Sequence, residues 1–162
     1  MFHITKDNYS SKEAFYNDLL LQAKGLIEGE TDLIANLANV SSLLFNLLED
    51  VNWAGFYLFK ENQLVLGPFH GNPACIRIAI GRGVCGTAAQ TSVTQVIKDV
   101  HAFAGHIACD GNTKSEIVVP MLQNQKLIGV LDIDSVVLGK FDDVDKDALE
   151  QLISMLMSVC KI

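Results

Sequence analysis

Arginine occurs only twice in these 162 residues, at Arg77 and Arg82, and lysine and arginine together number 12 against 19 aspartates and glutamates. A chain of net charge −7 with so few cations has no basic stripe to neutralise a phosphate backbone, which excludes nucleic acid as a partner. No apolar run reaches the ~18 residues needed to span a bilayer. The opening Met1-Phe2-His3-Ile4-Thr5 is not a charged region followed by an apolar one, so a cytoplasmic chain without membrane contact is expected. There is no internal repeat, low-complexity tract or linker, and the expectation is a single domain over residues 1–162. The four cysteines include no Cys-x-x-Cys pair and are too few for a disulfide framework, which leaves structural, metal-binding or redox roles.

What is present is a core. A hydrophobic fraction of 49% with 19% charged residues specifies a compact domain. Ser10-x-x-Glu13 reads as a capping box ahead of Phe15, Leu19, Leu20, Ala23 and Leu26, which predicts a helix from about Ser11 to Ile27. A second helix is expected from Thr31-Asp32, with the Thr31 hydroxyl as cap and an apolar stripe through Leu47. From Val51 the period changes to two. Trp53 to Phe59 and Leu64 to Gly67 make a hairpin, Cys75 to Ile80 a third strand, Val84 to Gln90 a short helix after a glycine-rich turn, and Thr94 to Ile97 a fourth strand. Residues 98–114 form a long loop, of the kind that usually carries function. Glu116 to Leu122 and Leu127 to Asp134 are a second hairpin, and a helix beginning near Asp142-Asp143 ends the chain. Two hairpins without regular β-α-β alternation point to an α+β fold: an antiparallel sheet of about six strands with its helices on one face.

Side chains alternate along a strand, so Asp132 and Asp134 share one face and Leu131 and Ile133 the other. Glu116 likewise lies on the face of Val118, and Trp53 points the same way as Tyr57. If these faces coincide, two rings and three carboxylates line a cavity suited to an ammonium group. Spacing alone leaves open the plainer reading, in which Asp132 and Asp134 are solvated at a strand end and Trp53 and Tyr57 are core.

The cysteines divide in the same manner. Cys160 on the last helix reads as a small buried hydrophobe, whereas Cys109 sits in the long loop near His101 and His106, where a reactive thiol fits. Those two histidines with Cys109 could instead supply three zinc ligands, although His-x-x-Cys alone is a weak signal. The turn Gly81-Arg82-Gly83-Val84-Cys85-Gly86 offers backbone N–H groups at a helix start, either as an anion seat or simply as a turn.

Gly67-Pro68-Phe69, Pro73 to Ile78, Gly81 to Ala88, Asp99-Val100-His101, Gly105 to Asp110, Ser115 to Pro120 and Gly129 to Ser135 closely resemble the free methionine-(R)-sulfoxide reductases, a family of single GAF domains. The likeness covers nearly the whole chain. It departs at Ala104, where the family more often has proline, and at Cys160, which the pattern does not include. The resemblance implies a GAF fold in which Cys109 is the nucleophile, Cys75 the resolving cysteine and Cys85 a further thiol. Trp53, Tyr57, Glu116, Asp132 and Asp134 would bind free methionine-(R)-sulfoxide. Thioredoxin would be the reductant, no metal or organic cofactor would be needed, and a homodimer is expected, packed partly through residues from about Ser11 to Leu47. The alternative is a GAF ligand-binding or sensory module without catalysis, which the fold alone favours. The full cysteine set, and the expectation that no output domain is attached, favour the enzyme.

Overall fold

The computed structural model describes residues 2–105 and 110–162 of the chain. One antiparallel sheet contains β1 (Val51–Lys60), β2 (Gln63–Gly71), β3 (Arg77–Ala79), β4 (Gln95–Ile97), β5 (Ser115–Gln123) and β6 (Lys126–Ser135), in the spatial order β3-β2-β1-β6-β5-β4. The helices are α1 (Lys12–Ile27), α2 (Leu33–Leu47), α3 (Gly83–Thr91) and α4 (Asp143–Val159). Both hairpins close through two consecutive residues of positive φ, Glu61-Asn62 and Asn124-Gln125. That geometry matches the right-handed twist of the flanking strands.

Side-chain caps set the helix starts. The Ser11 hydroxyl accepts from the Ala14 N–H at 3.1 Å, so the cap of α1 is one residue later than the Ser10 box. At α2 the carboxylate of Asp32, not the Thr31 hydroxyl, accepts from the Ala35 N–H at 2.8 Å. Asp142 and Asp145 form a reciprocal capping box at α4. The third strand is shorter than expected, because the chain from Cys75 leaves the sheet edge after a last backbone bond from Leu66 N–H to the Ile76 carbonyl at 2.9 Å.

The two faces of the sheet bury different things. Ala54, Phe56, Leu58, Ile117, Val119, Leu131 and Ile133 meet the apolar stripes of α1, α2 and α4 in the larger core. Trp53, Tyr57, Val118 and Val130 point the other way, where Val84, Cys85, Ala88 and Ala89 of α3 cover them together with Leu64 and Ile78. The three long helices thus gather on one face as expected, and the short α3 lies on the opposite one. Within the helical layer α1 is tied to α4 by the Tyr16 hydroxyl, which donates to Asp145 Oδ1 at 2.7 Å, and by Lys12, which pairs with both Asp142 and Asp145. No described helix is long and apolar enough to cross a membrane.

Candidate active site

Strand register brings the expected residues together. Trp53 lies opposite Asp134 and Gly55 opposite Asp132 across β1 and β6, while Glu116 lies opposite Asp134 and Val118 opposite Asp132 across β5 and β6. Because pairing is residue against residue, one face presents Trp53, Tyr57, Glu116, Asp132 and Asp134 side by side. These five, with Cys85, Asn72 to Ala74, Asp110 and Thr113, line a pocket with about 550 Å³ of empty space, part of it open to solvent. The plainer reading, of Asp132 and Asp134 solvated at a strand end, fails for Asp132, which is only 7% exposed, and Glu116 is buried with it.

The aromatic wall is built by close backbone approach. Trp53 stacks on Phe69 at 5.2 Å and on Tyr57 at 5.8 Å between ring centroids. A Cβ at Gly55 would stand 2.3 Å from the Phe69 Cβ and 2.8 Å from the Trp53 ring, so this position has room only for glycine. The polar ends of both rings hold the loop between β2 and β3. Trp53 Nε1 donates to the Asn72 carbonyl at 3.1 Å, and the Tyr57 hydroxyl to the Cys75 carbonyl at 3.0 Å. Cys75 is half-buried and disulfide-bonded, while Cys85 and Cys160 are free thiols.

The acid wall is under electrostatic stress. Loss of solvation pushes Asp132 up to about 6, while the neighbouring Cys85 thiol and Glu116 carboxyl pull it down. Burial first, and then the charges of Asp132 and Asp134, raise Glu116 well above the usual carboxylate range. Asp134 is raised by the same loss of solvation and by Asp132. Cys85, fully enclosed, donates its S–H to Glu116 Oε1 at 3.9 Å, and burial with the neighbouring carboxylates holds it as a thiol. Arg82 is the single cationic side chain among the described lining residues, and it is exposed. The described part of the pocket is therefore an acidic cavity with an aromatic wall, a shape that attracts a small organic cation.

The profile of the GAF domain matches residues 28–159. The chain belongs to the GAF domain family. A free methionine-R-sulfoxide reductase of Escherichia coli K12 is 53% identical over 92% of this chain and 90% of its own length. One of Saccharomyces cerevisiae is 48% identical over 98% and 94%. The solved free methionine-R-sulfoxide reductase of Neisseria meningitidis, in complex with its substrate, is 42% identical, with a TM-score of 0.93 over 98% of this chain and 95% of that one. The GAF pocket described above thus sits in a chain of which at least two relatives of about half identity carry that name.

Not every expected residue falls within this GAF pocket. Cys109 and His106 lie outside the described residues, which leaves the His101, His106 and Cys109 zinc set with only His101 in place, exposed on a short 3₁₀ turn at 100–102. Cys160 is buried on the other side of the sheet at the end of α4, beside Asn36. α3 opens on the pocket at Gly83, without a side-chain cap. Sequence reasoning missed the Asp110 carboxylate, which accepts from Asn52 Nδ2 at 3.2 Å, Asn72 Nδ2 at 3.3 Å and the Asn112 N–H at 2.9 Å. The backbone N–H of Asn112 is the main cause holding Asp110 below the usual carboxylate range. The Asx turn at Asp110 was a local signal, but its two asparagine partners come from distant elements.

Proposed function

We propose that this chain reduces free methionine-(R)-sulfoxide to methionine with thiol electrons. The observation that carries the reading is the pocket in which Trp53, Tyr57, Glu116, Asp132 and Asp134 surround a free cysteine and reach, through one hydrogen bond, the backbone of a second cysteine that is oxidised. The names of two relatives, 53% and 48% identical, support the same activity. The substrate ammonium would sit among the carboxylates and against the rings, and a protonated carboxyl would supply the proton that lets the sulfoxide oxygen leave. Cys109 as thiolate attacks the sulfur, releasing methionine and leaving a sulfenic acid on Cys109. The Cys75 thiol condenses with it, expelling water and forming a disulfide, and Cys85 is a further thiol able to join the exchange. A thioredoxin dithiol would then return both cysteines to thiols. Ile76, 69% exposed beside Cys75, offers an apolar contact for such a protein reductant.

The deciding experiment is an NADPH-coupled assay with thioredoxin on the two epimers of free methionine sulfoxide. Steady turnover of the R epimer alone is expected, with less than a few per cent left in Cys109→Ser. Binding without turnover would leave a sensory GAF module as the better reading. A pocket that recognises the ammonium should also reject N-acetylated methionine sulfoxide, whose charge is lost. A drop in kcat/KM of at least a hundredfold relative to the free amino acid is expected. Equal values for the two would remove the carboxylates from substrate recognition.

A further inference from the structure

Three different elements converge on one point in the floor of the pocket. Cys85 on α3, Glu116 on β5 and Asp132 on β6 each bring one ligand atom to within 4.8 Å of the others, and all three residues are buried. Cys85 Sγ already stands 3.9 Å from Glu116 Oε1. A separate feature marks the same spot. Asp132 is 7% exposed and lines the pocket, yet its Oδ1 has no hydrogen-bond partner. A buried carboxylate oxygen without a donor is costly to keep unless something binds it.

We infer that this cluster is a binding site for one divalent cation of the zinc type, held by Cys85 Sγ and one oxygen each of Glu116 and Asp132, and that its occupancy excludes the sulfoxide. Sulfur with two carboxylate oxygens selects a borderline-soft ion over magnesium or calcium, which take oxygen ligands in larger number. Along the Cys85–Glu116 edge the geometry needs little change. With Zn–S at about 2.3 Å and Zn–O at about 2.0–2.2 Å in a tetrahedron, sulfur and oxygen lie roughly 3.5 Å apart, a few tenths of an ångström inside the 3.9 Å seen here. The ion would deprotonate the thiol outright, give Asp132 Oδ1 its missing partner and leave a fourth position open toward the pocket. It would also withdraw Cys85 from thiol exchange. The site rests on the cluster alone. Only the exclusion rests on the reductase reading, because the substrate ammonium would use the same two carboxylates.

The test is calorimetric titration of the oxidised chain with Cd²⁺, read also by the thiolate-to-cadmium charge-transfer absorbance. Among the described residues Cys75 is disulfide-bonded, and Cys85 and Cys160 are free thiols. One ion per chain is expected, with the absorbance kept in Cys160→Ser and lost in Cys85→Ser. Affinity should fall at least tenfold in Glu116→Gln and in Asp132→Asn, and Zn²⁺ should displace Cd²⁺ mole for mole. Each variant is melted by circular dichroism, so that one unfolded variant leaves the other two to decide. Absence of binding, or binding that keeps its stoichiometry and absorbance in Cys85→Ser, overturns the site. In a Cys75→Ser/Cys109→Ser chain, which does not turn over, free methionine-(R)-sulfoxide should raise the apparent Kd for Cd²⁺ in proportion to its concentration. Cd²⁺ affinity indifferent to bound sulfoxide overturns the exclusion. A chain that takes Cd²⁺ but neither binds nor reduces the sulfoxide sustains the site and overturns the reductase reading.

Discussion

Asp132 concentrates the conflict between burial and charge. Its carboxyl, near 3.9 in an unfolded chain, is pushed up to about 6 by loss of solvation in the fold. Between those values the folded chain holds a proton that the unfolded chain has lost, so stability falls as pH rises through the window and stays lower above it. Asp132→Asn removes the penalty while keeping the shape. The variant should therefore be more stable than the parent at pH 7, by ~1–3 kcal/mol, with the gain vanishing near pH 4. Urea unfolding of both chains at the two pH values measures this, and equal stability at pH 7 would show that Asp132 is solvated. The same variant should bind substrate more weakly, the exchange of stability for function expected of a buried acid. At this scale the acids were legible before the fold, because alternation along β6 is covalent geometry. The Asn52 and Asn72 partners of Asp110 were not, because side-chain hydrogen bonds between distant segments leave no periodic trace.

On the scale of elements, β1 is where fold and site are joined, because its two faces carry Phe56 toward the helices and Trp53 with Tyr57 toward the pocket. Gly55 permits the overlap of Trp53 and Phe69 by having no side chain of its own. Gly55→Ala should push the two rings apart, costing ~1–3 kcal/mol of stability as overpacking and lowering kcat/KM at least tenfold. Trp53 is the only tryptophan, so its fluorescence reports the displacement directly. An unchanged emission spectrum together with unchanged activity would mean that the wall yields elsewhere. Hairpins and helices of β1, β2, β5, β6 and α4 were visible in the sequence, since period and turn residues are local. The short β3 was overextended, because the departure of Cys75 from the sheet depends on the loop that Trp53 and Tyr57 hold.

For the whole molecule the open question is a second copy. The resemblance implied a homodimer packed partly through residues from about Ser11 to Leu47, yet on α1 Tyr16, Leu19, Ala23 and Ile27 are consumed in the core. What remains outside is Leu21, 69% exposed, and Ile34, 49% exposed. We propose that these two side chains of α1 and α2 are covered by the partner in a homodimer. Light scattering at micromolar concentration should give about twice the chain mass, reduced toward one in Leu21→Glu/Ile34→Glu with activity kept. A parent chain that is already a fully active monomer would show that the helices serve the core alone.

The sequence by itself determined the order of elements, the two hairpins and the grouping of Trp53 with Tyr57, of Glu116 with Val118 and of Asp132 with Asp134. Each follows from local backbone geometry, in which period two and turn chemistry act over a few residues. Tertiary structure decided that these groupings face one another and turn away from the long helices. It also decided that α3 closes over them, setting Cys85 against Glu116 and Asp132. Those outcomes depend on pairing β1 with β6 and on which apolar faces are buried together, a choice made by packing across the chain and not by any single stretch of it.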